Sequence, residues 1–129
     1  MKHILTCSFG KDSIATALLA LQHGEPLDEL VYSEVMFSDT VSGELPEHKR
    51  FIYETAIPYF EKRGIPTRVL RGQKTYLDCF YHIVSRGNAE GKLASFPLTG
   101  RCGIQRDCKL PPIRNYQKTL PQDTVYYLG

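Results

Sequence analysis

The run Ser8-Phe9-Gly10-Lys11-Asp12-Ser13 constrains this chain more than any other stretch. An apolar run, Ile4-Leu5-Thr6-Cys7, precedes it, and an amphipathic run, Ile14 to Leu21, follows it. That order predicts a strand, a tight polar loop and a helix. Gly10 lets backbone approach a ligand with no Cβ in the way. Backbone N–H groups at a helix start are unpaired and carry partial positive charge, which attracts phosphate. Ser8 and Ser13 add hydroxyls and Lys11 adds a cation, so the loop reads as a phosphate cradle. The competing reading of the same residues is a plain turn with Asp12 capping the helix.

Further along, strand and helix signals alternate. His3 to Cys7 reads as a central buried strand and Asp12 to His23 as the first helix, with Ile14, Leu18 and Leu21 on its apolar face, widened by Ala15 and Leu19. Gly24 and Pro26 end it. Leu30 to Phe37 reads as a second strand, followed by the polar loop Ser38-Asp39-Thr40. A second helix is predicted from Pro46 to Arg63, kinked or stopped early at Pro58. Thr67 to Leu70 reads as a third strand, Thr75 to Ser85 as a helix, Cys102 to Cys108 as a polar link, Pro111 to Gln117 as a helix and Val125 to Leu128 as a last strand. Together these predict a single α/β domain over residues 1–129, doubly wound, with a mainly parallel sheet and helices on both faces. Ligands of such sheets bind beyond the carboxyl ends of the strands, near the switch in strand order. The loops Ser8–Ser13 and Ser38–Thr40 both follow strands, so they are expected to meet there and form one site.

At 129 residues the chain can bury one core. Its net charge of +2 is too small to argue for a nucleic-acid or membrane partner. No apolar stretch has the length of a membrane span, and the start lacks the apolar core of a signal peptide, so a cytoplasmic protein is expected. Four cysteines in that setting read as thiols or ligands rather than structural disulfides.

The loop is not a Walker A motif, because Lys11 is followed by Asp12 rather than Ser or Thr. The pattern Ser-x-Gly-x-Asp-Ser resembles the PP-loop of the ATP pyrophosphatases, and SFGKDS resembles its form in the phosphoadenosine-phosphosulfate (PAPS) reductase-like family. A second stretch, Asp39-Thr40-Val41-Ser42-Gly43-Glu44-Leu45-Pro46-Glu47, is similar to the segment that lies beside the nucleotide in that family. A third, from Arg101 to Ile113 with Cys102, Lys109 and Pro112 within it, is similar to its late Cys-x(n)-Lys-x-x-Pro segment. The resemblance implies an adenine-nucleotide alpha hydrolase-like (Rossmann-like) fold, a ligand that is ATP or PAPS, and magnesium with ATP. Where the family's last strand runs on into a further loop, this sequence stops at Gly129. The expected domain therefore lacks that segment, and a homo-oligomer or a partner subunit is a candidate to complete it.

On that resemblance the nucleotide site comprises Ser8, Phe9, Gly10, Lys11, Asp12, Ser13, Asp39, Thr40, Arg106 and Lys109. Lys11 would stabilise phosphate charge in catalysis, and Cys102 would be the nucleophile if the chemistry runs through sulfur. Asp12 and Asp39 are the candidate carboxylates for magnesium. Asp39 could instead accept from a ribose hydroxyl or adenine amine, or simply end a strand. Glu44 and Glu47 read as solvated helix-start residues. Arg101, Arg106, Lys109, Arg114 and Lys118 form a positive run that suits a polyphosphate or sulfate, or else a solvated loop. Cys102 and Cys108 are open to three readings: loop thiols, a redox pair, or metal ligands. Cys7 and Cys79 read as packed residues. An iron–sulfur cluster is not expected, since the cysteines are not closely grouped. The four histidines receive no role. Three functions compete: an ATP pyrophosphatase or sulfonucleotide enzyme with an unknown acceptor, a non-catalytic nucleotide-binding module, and a tRNA thiolation enzyme, against which the weak charge counts.

Overall fold

The computed structural model describes residues 1–95 and 102–129. Four strands form one sheet: β1 His3–Thr6, β2 Glu29–Ser33, β3 Thr67–Leu70 and β4 Val125–Tyr127. Their order is β3-β2-β1-β4, and every neighbouring pair is parallel. Leu5 sits opposite Leu30 on one side and Tyr127 on the other, so β1 is central. The chain winds outward through β2 and β3, then returns to the other flank of β1 as β4. The switch in strand order therefore falls between β1 and β4, directly above the Ser8–Ser13 loop. This is a doubly wound parallel α/β sheet with helices flanking both faces, in line with the sequence.

Side-chain alternation along the strands divides the core. Leu5, Cys7, Leu30 and Tyr32 form one buried cluster with Ala17 of helix α1 (Lys11–Gln22) and with Ile52, Ala56 and Phe60. Ile4 and Val31 lie out of phase with these and are also buried, as are Ile104, Cys108 and Ile113. On α1 the buried positions are Ser13, Ala17 and Ala20, while Leu18 and Leu19 are exposed. Ile14 and Leu21 of the expected apolar face pack against this core, whereas the small residues Ala17 and Ala20, which let the helix backbone approach the sheet closely, take the buried centre that spacing assigns to Leu18 and Leu19. Gly24 adopts φ +67° after α1, and the Glu25 N–H reaches back to the Ala20 carbonyl at 2.8 Å.

The second helical stretch is built in three pieces: α2 (Pro46–Phe51), a π-helical turn over Ile52–Ala56, and α3 (Ile57–Glu61). The helix runs on to Glu61 and does not stop early at Pro58. The wider π turn just before it relieves the clash that a proline ring makes with the preceding turn. The same device recurs where a π turn over Gln105–Lys109 leads into α5 (Leu110–Gln117), which carries Pro111 and Pro112 in its first turn. The stretch expected as a polar link is thus helical.

Two other expectations are corrected. β2 ends at Ser33 rather than Phe37, because β3 offers its last carbonyl, Leu70, to the Glu34 N–H at 2.8 Å. The chain then folds into a small hairpin with Met36 opposite Ser42. Helix α4 spans only Tyr76–Phe80, held at its start by a capping box between Thr75 and Asp78. Beyond it, Ile83 bridges to Leu93 around a turn with Gly87 and Gly91 at positive φ. The β-branched pair Ile83-Val84 and these glycines favour the hairpin over more helix.

No helix among the described residues is long and apolar enough to cross a membrane.

Candidate functional site at the sheet's switch point

The loop after β1 is tied to itself by hydroxyls. Ser8 Oγ and Ser13 Oγ are 3.1 Å apart, and the Ser8 and Gly10 N–H groups each donate to one of them at 3.4 Å. The left-handed residue is not the glycine. Phe9 has φ 59°, whereas Gly10 is extended at φ −75°. A bulky residue in that region is strained. The compensation is packing: the Phe9 ring is fully buried and meets the Tyr32 ring edge-on at 5.4 Å. The reversal at Phe9 turns the backbone from β1 into α1, whose first turn has no side-chain cap. Its leading N–H groups thus have no partner within the helix.

This loop opens on a cavity of about 390 Å³ at the carboxyl edge of the sheet. Thr6, Cys7 and Ser8 line it from the end of β1 and the residues after it, Ser33 and Val35 from the end of β2 and just beyond it, and Leu128 and Gly129 from just beyond β4. Ser13 contributes from α1, Gly43 and Glu44 from the hairpin's exit, Tyr76 from α4, and Gln105, Lys109 and Ile113 from the last helical stretch. Glu44, read from sequence as a solvated residue, is the lining's carboxylate and accepts the Tyr32 hydroxyl proton at 2.9 Å. Burial, and after it this bond to Glu44, push the Tyr32 phenol well above its usual range, which keeps it a donor. Ser33 Oγ donates to the Lys109 carbonyl at 2.9 Å and so fixes Lys109 over the end of β2. Gly43 is required where it stands: a Cβ would lie 2.6 Å from the Tyr76 ring and 2.7 Å from the Val35 carbonyl.

A second, outer groove adjoins this cavity. It shares Val35, Gly43, Tyr76, Gln105 and Lys109 with it and adds Phe37, Ile104 and Cys102. Cys102 is exposed there.

The residues singled out from the sequence are therefore distributed unevenly. Ser8, Ser13 and Lys109 line the cavity together. Lys11 and Asp12 are exposed on the first turn of α1, outside that lining, and Gly10 lies between them and Phe9. Asp39 and Thr40 sit at the exposed tip of the hairpin, where the Thr40 and Val41 N–H groups bond Ser38 Oγ, rather than in the cavity wall. Arg106 turns away and makes two 2.9 Å bonds to the Asp107 carboxylate. Arg101 falls outside the described residues. Cys108 is not paired with Cys102; its sulfur lies 3.3 Å from that of Cys79.

Among the described residues no group of three or more His, Cys, Asp or Glu side chains could hold a metal on protein ligands alone. A magnesium ion that travels with a triphosphate needs only one or two carboxylates. Glu44 is placed for that in the cavity wall, whereas Asp12 and Asp39 are not. Tyr32, Ser33, Glu44, Tyr76 and Gln105 are lining residues that sequence reading missed. The position after strand two was a signal for Glu44, but its contact with Tyr32 arises only once the hairpin folds back.

Comparison of the chain with protein-family models, with curated proteins and with solved structures gave no match.

Proposed function

We propose that this protein binds an adenine nucleotide at the switch-point cavity, with its phosphates at the Ser8–Ser13 loop. The observation that carries this reading is the meeting of that loop, the uncapped start of α1 and Lys109 around one cavity at the β1/β4 switch. Such an edge is where parallel sheets take nucleotides. Donors in the loop suit phosphate oxygens, and Lys109 supplies a point charge on the opposite wall. The resemblance of Ser8–Ser13 to a PP-loop makes ATP the first candidate. Its expected chemistry is attack by an acceptor oxygen on the α-phosphorus with loss of pyrophosphate. Magnesium bound with ATP would neutralise phosphate charge. Ser8, Ser13 and Lys109 would orient the phosphates, and Lys11 at the loop's rim would meet the leaving group's charge.

One observation favours a second reading, a sulfonucleotide such as PAPS: Cys102 lines the groove next to the cavity and shares Lys109 with it. There the Cys102 thiolate would attack the sulfur. The sulfur–oxygen bond to the nucleotide would break, leaving a cysteine S-sulfonate and the nucleoside phosphate.

Calorimetric titration of ATP, PAPS and adenosine 5′-phosphosulfate, each with and without magnesium, tests both readings. The expected result is binding with Kd of about 100 μM or tighter, roughly −5.5 kcal/mol, with a magnesium-dependent preference for ATP. A preference for a sulfonucleotide moves the assignment to the second reading, and binding of none of the three overturns both.

A further inference from the structure

A second cavity, of about 300 Å³, shares no lining residue with the first. Its wall includes Lys74, Asp78, Cys79, His82, Arg106 and Asp107. Asp78 is engaged in the cap of α4, and Asp107 is paired with Arg106. Cys79 lines this cavity from α4. Behind it, 3.3 Å away, is the sulfur of Cys108, which is fully buried and lies 3.5 Å from the Thr75 carbonyl. The two cysteines are 29 residues apart in sequence, and both are free thiols. A disulfide needs a sulfur–sulfur distance of about 2.05 Å, so closure asks for about 1.3 Å of approach. Side-chain rotation and a small shift of the five-residue helix α4 can supply that. The pair is asymmetric: Cys79 is half-buried and meets the cavity, while burial, and then the contact with Cys79, push the Cys108 thiol up to about 12.

We propose that Cys79 and Cys108 are a redox-active thiol pair, with Cys79 meeting a peroxide in the second cavity and Cys108 resolving it to an intramolecular disulfide. The Cys79 thiolate attacks one peroxide oxygen. The O–O bond breaks, Cys79 becomes a sulfenic acid, and hydroxide leaves and takes up the proton that Cys79 had lost. The Cys108 sulfur then attacks the Cys79 sulfur. The S–O bond breaks, and the hydroxyl departs as water with the Cys108 proton. In sum two thiols lose two electrons and two hydrogens, and one hydrogen peroxide becomes two waters. A small dithiol reverses the bond by exchange.

The test treats the whole protein with hydrogen peroxide, removes the excess with catalase, denatures, alkylates and maps the cysteine peptides. The expected result is loss of two of the four thiols, a peptide joining Cys79 to Cys108, and recovery of all four with dithiothreitol. Cys79→Ser, which leaves the buried sulfur in place, should form no disulfide under the same treatment. Four remaining thiols, a link from Cys108 to Cys102, or undiminished disulfide formation in Cys79→Ser would each overturn the proposal. None of these readouts depends on nucleotide binding.

Discussion

The two edges of the sheet are built from similar polar residues and used in opposite ways. At the amino edge Glu29, which opens β2, is almost fully enclosed and saturated. Lys2 Nζ donates to it at 2.7 Å, Arg68 bonds its other oxygen, and Tyr116 OH lies 2.9 Å from both. The Arg68 guanidinium also rests 4.5 Å from the centre of the Tyr116 ring. This cluster joins residues from the start of the chain, β2, β3 and α5. At the carboxyl edge the hydroxyls of Ser8 and Ser13, the Glu44–Tyr32 pair and Lys109 surround open space instead. One edge spends its polar groups on each other; the other leaves donors facing a cavity. A fold of this kind keeps its open cavity and its fastening at opposite ends of the same strands, so each can be altered separately.

The largest effect expected from breaking that separation is on stability. Glu29→Ala removes a buried carboxylate held by three donors and should cost about 2 kcal/mol, since bonds to charged groups are worth that order. For a chain of this size that is a fall in Tm of roughly 8 °C. Nucleotide affinity should be unchanged, and a parallel loss of affinity would show that the edges are coupled. The same residue gives a pH signature. Burial alone would raise the Glu29 carboxyl, but the bonds from Lys2, Arg68 and Tyr116 outweigh it and hold the group below its ordinary 4.5. The unfolded chain therefore takes up the proton first as pH falls. Glu29's contribution is complete above pH 4.5 and is lost as pH drops through the lower folded value. Thermal melts below pH 4.5 should fall more steeply for the natural protein than for Glu29→Gln; equal slopes would remove Glu29 from the account.

The converse substitution is Lys109→Ala. It should weaken ATP binding about tenfold, or about 1.4 kcal/mol, with Tm nearly unchanged. The bond from Ser33 goes to the Lys109 main-chain carbonyl, which alanine keeps. Titration calorimetry beside a thermal melt checks both halves. Unaltered affinity would mean that the cavity's far wall does not grip phosphate.

What the sequence could reveal follows the range of the interactions involved. The four strands, α1 and the parallel winding rest on local periodicity and glycine or proline punctuation, and they were legible. The part of the cavity wall that holds Ser8 and Ser13 was legible too, because the two lie five residues apart in one stretch. Contacts across many residues were not. Tyr32 finds Glu44 only through a hairpin, and Cys108 finds Cys79 only because Gln105–Lys109 is helical. The left-handed residue carried no local signal for a related reason: it is Phe9, held there by core packing, and not the neighbouring glycine. The π turns ahead of Pro58 and Pro111 show the same limit, since proline alone signals a break and only the preceding turn's geometry permits continuation.

The smallest expected effect tests the hairpin. Asp39 matches the second resembled segment, but it stands exposed at the tip while Val35, Gly43 and Glu44 at the base line the cavity. Asp39→Ala should therefore change ATP affinity by no more than about twofold, near 0.4 kcal/mol, and stability by less than about 0.5 kcal/mol. It should also leave the ranking of ATP against guanosine triphosphate as it was. A tenfold loss or an altered ranking would mean that the hairpin folds over the bound nucleotide and carries Asp39 to the base or the ribose. The carboxyl edge would then be open only until its ligand arrives, and its contrast with the sealed amino edge would be one of state rather than of construction.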